Sequence, residues 1–131
     1  ISELVMSEFV NWRFMGKFFF EKLEGYQRSL KLAKEVCKKL DKVPAKFSRI
    51  RDQLVGAIIS VPLNIAEGSG RSSSKEKRNF YKISRSSLFE CIPLVELCAE
   101  LKIITKEDKE YLFKEIEALS KMLNKLCSKL K

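Results

Sequence analysis

Apolar residues recur at alternating steps of three and four along most of this chain, and this spacing constrains the fold more than any other feature. The pattern occupies four segments, residues 20–42, 48–67, 74–102 and 105–131, which short connections separate. Steps of three and four place apolar side chains on one face of an α-helix. With only five Gly, three Pro and no Asn-Gly or Asp-Gly pair, the turn signals of a β fold are missing. The sequence therefore predicts an all-α fold.

Each segment has one apolar face that we expect to be buried. In the first segment this face consists of Leu23, Tyr26, Leu30, Ala33, Cys37 and Leu40. In the third it consists of Phe80, Ile83, Ser87, Leu88, Cys91, Leu94, Val95, Cys98 and Leu101. Because short connections make consecutive helices antiparallel, four such helices predict an up-down-up-down bundle. The bundle would span residues 20–131.

Residues 1–19 stand apart because they are dense in aromatic side chains and precede the first periodic segment. They are predicted to form an N-terminal extension. Two interpretations stay open: an extension that packs on the bundle, or an apolar arm that docks on another subunit.

Several residues mark the predicted helix ends. Pro44 ends the first helix and Gly68 is expected to cap the second at its C-terminus. Two pairs have the spacing of an N-terminal capping box, namely Ser73 with Glu76 and Thr105 with Asp108.

Two prolines lie inside helical segments. Pro62 and Pro93 each remove a backbone hydrogen bond, which predicts kinks in the second and third helices.

The composition excludes several classes of site. The chain has no histidine, which removes His-based triads, His-ligated zinc and His pH switches. None of the four cysteines is paired as C-x-x-C, so we expect small apolar core residues rather than a zinc or redox site. Glu3 and Glu8 stand where a signal peptide carries lysines, and no apolar run approaches a membrane span. A cytoplasmic protein is expected.

Positive charge is concentrated in two parts of the chain. The net charge is +9, while residues 28–51 carry nine basic against two acidic side chains and residues 71–85 carry six against one. Such a field attracts phosphate backbones. The predicted nucleic-acid-binding residues are Lys31, Lys34, Lys38, Lys39, Lys42, Arg71, Lys75 and Arg78. A solvated face that only aids solubility is the alternative.

The glycine- and serine-rich stretch GSGRSSS, residues 68–74, is not a P-loop. It lacks the Gly-Lys-Ser/Thr ending and no strand precedes it. A turn followed by a helix cap is the simpler interpretation, although the amides of a helix N-terminus also hold phosphate.

Asn64 and Glu67 are polar residues beside the apolar face of the second helix. The helix dipole disfavours a carboxylate near the C-terminus, so Glu67 requires a cationic partner, with Arg71 and Arg85 as candidates. Asn64 is expected to hydrogen-bond within the turn that contains Pro62.

The segments VPLNIAEGSGR, residues 61–71, and SSSKEKRNFYKISRSSLFE, residues 72–90, resemble proteins encoded by intervening sequences of bacterial large-subunit ribosomal RNA. The usual pattern of that family is close to IPSNIAEGSGR, then S-x-x-E, then F-L-x-I-A-x-G-S-L-x-E. Positions that keep the pattern include Pro62, Asn64, Glu67, Gly68, Gly70, Arg71, Phe80, Ile83, Ser87, Leu88 and Glu90. Departures are Val61, Leu63, Tyr81, Ser84, Ser86, Ile92 and Pro93. The opening LEGYQRSLKLAKEV is also similar, so the resemblance covers residues 23–126.

The resemblance implies a four-helix bundle that assembles as a homopentamer. A related branch acts as the accessory protein of diversity-generating retroelements, where a basic pentameric barrel binds the reverse transcriptase and nucleic acid.

The leading hypothesis is a non-enzymatic, basic, oligomeric bundle that binds RNA, or an assembly containing ribosomal RNA, through phosphate contacts. No cofactor, metal, membrane or small-molecule substrate is expected. One alternative is a protein-interaction adaptor, for example of a reverse transcriptase. A less favoured alternative is a metal-dependent nuclease that uses Glu67, Glu90 and Asp52.

Overall fold

A computed structural model describes the backbone of residues 17–131 and the side chains from residue 24 onward. Its helices are α1 (Lys17–Lys39), α2 (Ser48–Ser69), α3 (Ser74–Glu100) and α4 (Lys106–Ser128), with a 3-10 turn at Ala45–Phe47. No strand occurs in this part of the chain, and the predicted all-α class with four helices is confirmed. Residues 1–16 of the predicted extension lie outside the described residues.

The helices pack as a ring of neighbours. Each contacts the next one along the chain and α1 also contacts α4, whereas the backbones of α1 and α3, and those of α2 and α4, do not approach each other closely in the described residues. Lys39 at the end of α1 bonds Asp108 at the start of α4, and Arg78 near the start of α3 bonds the Leu130 carbonyl beyond α4. The up-down-up-down order of the helices stays a prediction, with which these contacts agree. Pro62 and Pro93 lie inside α2 and α3, and the kinks at them stay predictions.

The buried face of α1 differs from the predicted one. Leu30, expected inside, is 39% exposed, while Leu32 and Val36 are buried. Gly25 and Ser29 also occupy core positions on this helix. The prediction relied mainly on large apolar residues and therefore missed these two small ones. As a result, the predicted face is rotated around the helix axis relative to the face that is buried.

The buried face of α3 also needs correction. Ile83 and Leu101 are exposed, whereas Tyr81 and Ser84 are fully buried. The Ser84 hydroxyl donates to the Val61 carbonyl of α2 at 2.8 Å, so its burial leaves no polar atom unsatisfied.

Gly68 does not cap α2 as predicted. The helix continues to Ser69, and Gly70 is the C-cap residue. Gly68 is buried where a Cβ atom would lie 2.9 Å from the Phe80 Cβ and 2.9 Å from the Tyr81 ring. The glycine is therefore required by the close approach of α3, not by backbone conformation.

The predicted N-terminal caps are found at both sites. The Thr105 hydroxyl accepts from the Asp108 amide and the Asp108 carboxylate accepts from the Thr105 amide, which completes a capping box. The Ser73 hydroxyl accepts from the Glu76 amide at 3.1 Å. The Glu76 carboxylate accepts from that hydroxyl, so this cap forms without the reciprocal backbone bond.

Candidate nucleic-acid interface

Three lysines of α1 form one exposed row, which we call the lysine row: Lys31, Lys34 and Lys38. Their spacing places them on the helix face opposite the buried Leu32 and Val36. No ion pair joins any of them to a carboxylate in the described part of the chain. The lysine row is therefore a set of hydrated cations. Its charge is not neutralised by an ion pair with any carboxylate of the described residues.

Lys39 lies beside the row but has a different environment. Its ammonium donates to the Asp108 carboxylate at 2.7 Å and lies 6.0 Å from the centroid of the Tyr111 ring. The hydrogen bond from Lys39, with further bonds from Thr105, lowers the pKa of the Asp108 carboxyl although partial burial opposes this. Lys39 thus ties α1 to α4 and is less available to a ligand than its neighbours.

The connection after α1 extends the positive surface. Lys42, Lys46 and Arg49 are all exposed, and the Lys46 ammonium lies 5.1 Å from the centroid of the Phe47 ring. The sequence-based set contained Lys42 but not the other two. Lys46 and Arg49 belong to the basic run that continues past Pro44. The prediction missed them because it followed the helical spacing of the lysines on α1.

The second predicted cluster is largely occupied by contacts within the protein. Arg71 pairs with the Glu67 carboxylate, lies 3.7 Å from that of Glu76 and stacks on the Phe80 ring at 4.8 Å. Arg71 is thus the partner that Glu67 was predicted to need. Lys75 is exposed and has no ion pair among the described residues.

Arg78, the last member of the second cluster, binds the end of α4. Its guanidinium donates to the Leu130 carbonyl at 2.8 Å. The neighbouring Lys77 donates to the Ser69 carbonyl at 3.1 Å, at the end of α2. Both cations satisfy carbonyls at helix C-termini, where positive charge is favoured.

The structure does not bring the two basic clusters together. Lys39 reaches α4 at Asp108, whereas Arg78 reaches the chain beyond α4 at Leu130. At a rise of 1.5 Å per residue these two levels are about 30 Å apart. The lysine row and Lys75 are therefore towards different ends of the bundle, on helices that are not neighbours in the ring.

The polar residues near Pro62 contribute to the α2–α3 contact. The Asn64 amide donates to the carbonyl and the hydroxyl of Ser60 at 2.8 and 2.9 Å, as expected for the turn around the proline. Ser87 of α3 donates to the same Ser60 hydroxyl at 3.0 Å.

The carboxylates of the nuclease alternative do not gather into a site. Asp52 and Glu67 lie near opposite ends of α2, and the exposed Glu90 lies on α3. Asp52 and Glu67 are each paired with an arginine. The described residues contain no group of three acidic or thiol side chains that could hold a metal ion.

Burial makes three of the four thiols less acidic than a free cysteine. Burial, and secondarily the charge of Glu90, raises the pKa of Cys91 to about 12, and burial also raises the pKa of Cys98 and of Cys127. Cys37 is half-buried on α1. Among the described helices, none is long and apolar enough to cross a membrane.

A family model described as 23S rRNA-intervening sequence protein matches residues 21–125 of the chain. The chain belongs to this family. The match extends from the first helix to near the end of the fourth, so the family domain includes the lysine row and the α2–α3 contact. A comparison with curated proteins gave no match.

Proposed function

We propose that this protein binds RNA, or an assembly that contains ribosomal RNA, through phosphate contacts on α1 and the connection that follows it. The observation that carries the proposal is the lysine row, Lys31, Lys34 and Lys38, which faces solvent without carboxylate partners in the described residues. Lys42, Lys46 and Arg49 continue this surface. Membership of a family named for an rRNA intervening sequence makes RNA the first polyanion to test.

The binding is mainly electrostatic. Each neutralised phosphate releases counterions, so affinity falls steeply with salt. Phosphate contacts position a nucleic acid without reading its sequence. Any preference for one RNA therefore arises from its shape rather than from base contacts on this surface.

A charge-neutralising variant tests the surface. Replacing Lys31, Lys34 and Lys38 by Gln is expected to reduce the slope of log affinity against log salt by about 3, because three phosphate contacts are lost. Fluorescence anisotropy with a labelled RNA hairpin, from 50 to 300 mM salt (about the range in which such slopes are measured), gives the slope directly.

The matched control removes the same charge from α4. Lys114, Lys121 and Lys125 are exposed, and their replacement by Gln leaves α1 intact. An equal loss of slope in the two triple variants would overturn the α1 assignment and leave only a general effect of net charge. Comparing an rRNA helix that carries an intervening sequence with an unrelated hairpin of equal length then tests recognition by shape.

We further propose that the protein acts without catalysis, in the cytoplasm, as a homo-oligomer. The family resemblance suggests a pentamer, in which a ring repeats the α1 surface five times and multiplies weak phosphate contacts. Sedimentation equilibrium of the full chain measures the stoichiometry, and a monomer at working concentration would contradict this part of the proposal.

A further inference from the structure

A shallow groove runs between α3 and α4 on the outside of the bundle. Its apolar floor is formed by Phe89 and Ile92 of α3 and by Phe113 and Ile116 of α4. Phe89 is 46% exposed, which is unusual for a phenylalanine on a folded helix. The groove therefore leaves a contiguous apolar surface in water, the kind of feature that marks an interaction site.

Arg85 stands at one end of this groove with its charge uncompensated. Its guanidinium lies 5.1 Å from the centroid of the Phe89 ring. The Nε atom is removed from solvent and has no hydrogen-bond partner among the described residues, which also provide no carboxylate paired with Arg85. Glu117, the acidic residue in the groove lining, pairs with Lys121 at 3.1 Å. An unsatisfied, partly buried cation is stabilised when a ligand supplies an acceptor.

The size of the groove fits a short helix. On α4 its lining extends from Phe113 to Asn124, eleven residues, which at 1.5 Å per residue corresponds to about 16 Å or three helical turns. A groove of this length accommodates apolar anchors at positions i, i+3 or i+4, and i+7 of a docked helix. It is open along its length, as helix docking requires.

We propose that the α3–α4 groove binds an amphipathic helix of a partner protein, whose apolar residues cover Phe89 and Phe113 and whose Asp or Glu pairs with Arg85. The chemistry favours a peptide over a nucleic acid because the floor is apolar and the Glu117–Lys121 ion pair adds no net charge to the rim. None of the lysine-row residues lines this groove. The inference therefore goes beyond the proposed RNA binding and leaves the lysine row available.

The probe is a displayed library of 14-residue amphipathic helices, with fixed leucines at positions i, i+4 and i+7 and all residues allowed between them. Selection on the full-length protein is expected to enrich Asp or Glu at one position beside the leucine row. The best peptide, synthesised, should bind the wild-type protein about tenfold more tightly than Arg85→Gln, because a charge-assisted hydrogen bond is lost. Its Glu→Gln version should bind both proteins equally weakly.

Two further variants separate the groove from the general fold. Phe89→Ala removes an exposed side chain, so helical content and the midpoint of unfolding should change little while peptide affinity falls about tenfold or more. Lys114→Gln, a change on α4 outside the groove lining, should leave peptide affinity unchanged.

Several results would overturn the inference. One is enrichment without an acidic preference, or equal binding to the wild type and Arg85→Gln. Another is a lower oligomeric mass of Phe89→Ala in sedimentation, which would assign the groove to a second copy of this chain. A third is a loss of RNA affinity in Phe89→Ala as large as that in the lysine-row variant, which would assign it to nucleic acid. The first two results do not depend on whether the lysine row binds RNA.

Discussion

The α2–α3 and α1–α4 contacts hold the bundle together by different means. Between α2 and α3, Gly68 lets Tyr81 approach closely, and the Ser84 hydroxyl reaches the Val61 carbonyl. Between α1 and α4, the long-range polar contacts include two ion pairs, Arg28 with Glu115 at 3.3 Å and Lys39 with Asp108 at 2.7 Å. The α2–α3 contact depends on shape, whereas the α1–α4 contact depends in part on charge. Only the stability of the α1–α4 contact should therefore change strongly with salt and pH.

This difference bears on function because α1 carries the lysine row. Helix α1 packs less extensively on its two neighbouring helices than α3 does in the described residues, and the α1–α4 contact is the sparsest in the ring of helices. Elements with few contacts open at lower free energy than the rest of a fold. The surface that we propose to bind RNA thus lies on the helix expected to open most easily.

The largest effect is expected at the α2–α3 contact. Gly68→Ala introduces a methyl group 2.9 Å from Phe80 and Tyr81, and such overpacking should lower the free energy of unfolding by about 1–3 kcal/mol. Urea titration followed by circular dichroism measures the change, which should be the same at low and high salt.

Gly56→Ala on the same helix is the matched control. A Cβ atom there would meet nothing within 4 Å, so this variant should gain about 0.5–1 kcal/mol through helix propensity. A similar change at both glycines would mean that α3 does not approach Gly68 as closely as described.

A smaller effect is expected for the Lys39–Asp108 pair of the α1–α4 contact. A double-mutant cycle with Lys39→Met and Asp108→Asn should give a coupling of about 0.5–1 kcal/mol, reduced by 1 M salt. Because the folded state lowers the pKa of Asp108, the coupling is present above the unfolded pKa of this carboxyl and lost as pH falls through the folded one. A coupling that persists in 1 M salt at neutral pH would contradict the charge-based view of this contact.

The smallest effect concerns Tyr111, which links α4 to Glu35 of α1. A hydrogen bond with the Glu35 carboxylate, with smaller contributions from burial and nearby carboxylates, raises the pKa of Tyr111 to about 12. Its contribution to stability is present below the ordinary tyrosine pKa and is lost as pH rises from about 10 to 12. Urea midpoints at pH 9 and 11.5, for the wild type and Tyr111→Phe, measure it, and an identical alkaline loss in both would exclude Tyr111 as the cause.

Local chemistry made much of the fold predictable from sequence. α3 begins at the predicted Ser74 and the Thr105 capping box is present, because caps depend on residues three positions apart. α2 also begins at the predicted Ser48, although no side chain caps its first turn. The face of α1 was not predictable in the same way, since Gly25 and Ser29 occupy core positions that only tertiary packing explains.

The candidate sites were less predictable because they depend on which helices become neighbours. Summing charge along the chain joined Lys38 and Lys75 in one positive field, and the fold places them at different ends of the bundle. Arg78 was predicted to bind phosphate because it lies in a basic stretch, but its guanidinium binds the Leu130 carbonyl. The sequence signal for the groove is the spacing of four residues between Arg85 and Phe89 on α3. The other wall of the groove comes from α4, which this spacing does not indicate.

The reactivity of the buried Cys91 thiol measures how readily the core of the bundle opens. A thiol with a pKa of about 12 and no solvent exposure does not react with an alkylating reagent at neutral pH until the surrounding helices separate. The half-buried Cys37 and Cys127 should react earlier. The rate at which the alkyl group appears on Cys91 in mass spectrometry therefore measures the opening of the core, with the natural sequence and no added probe.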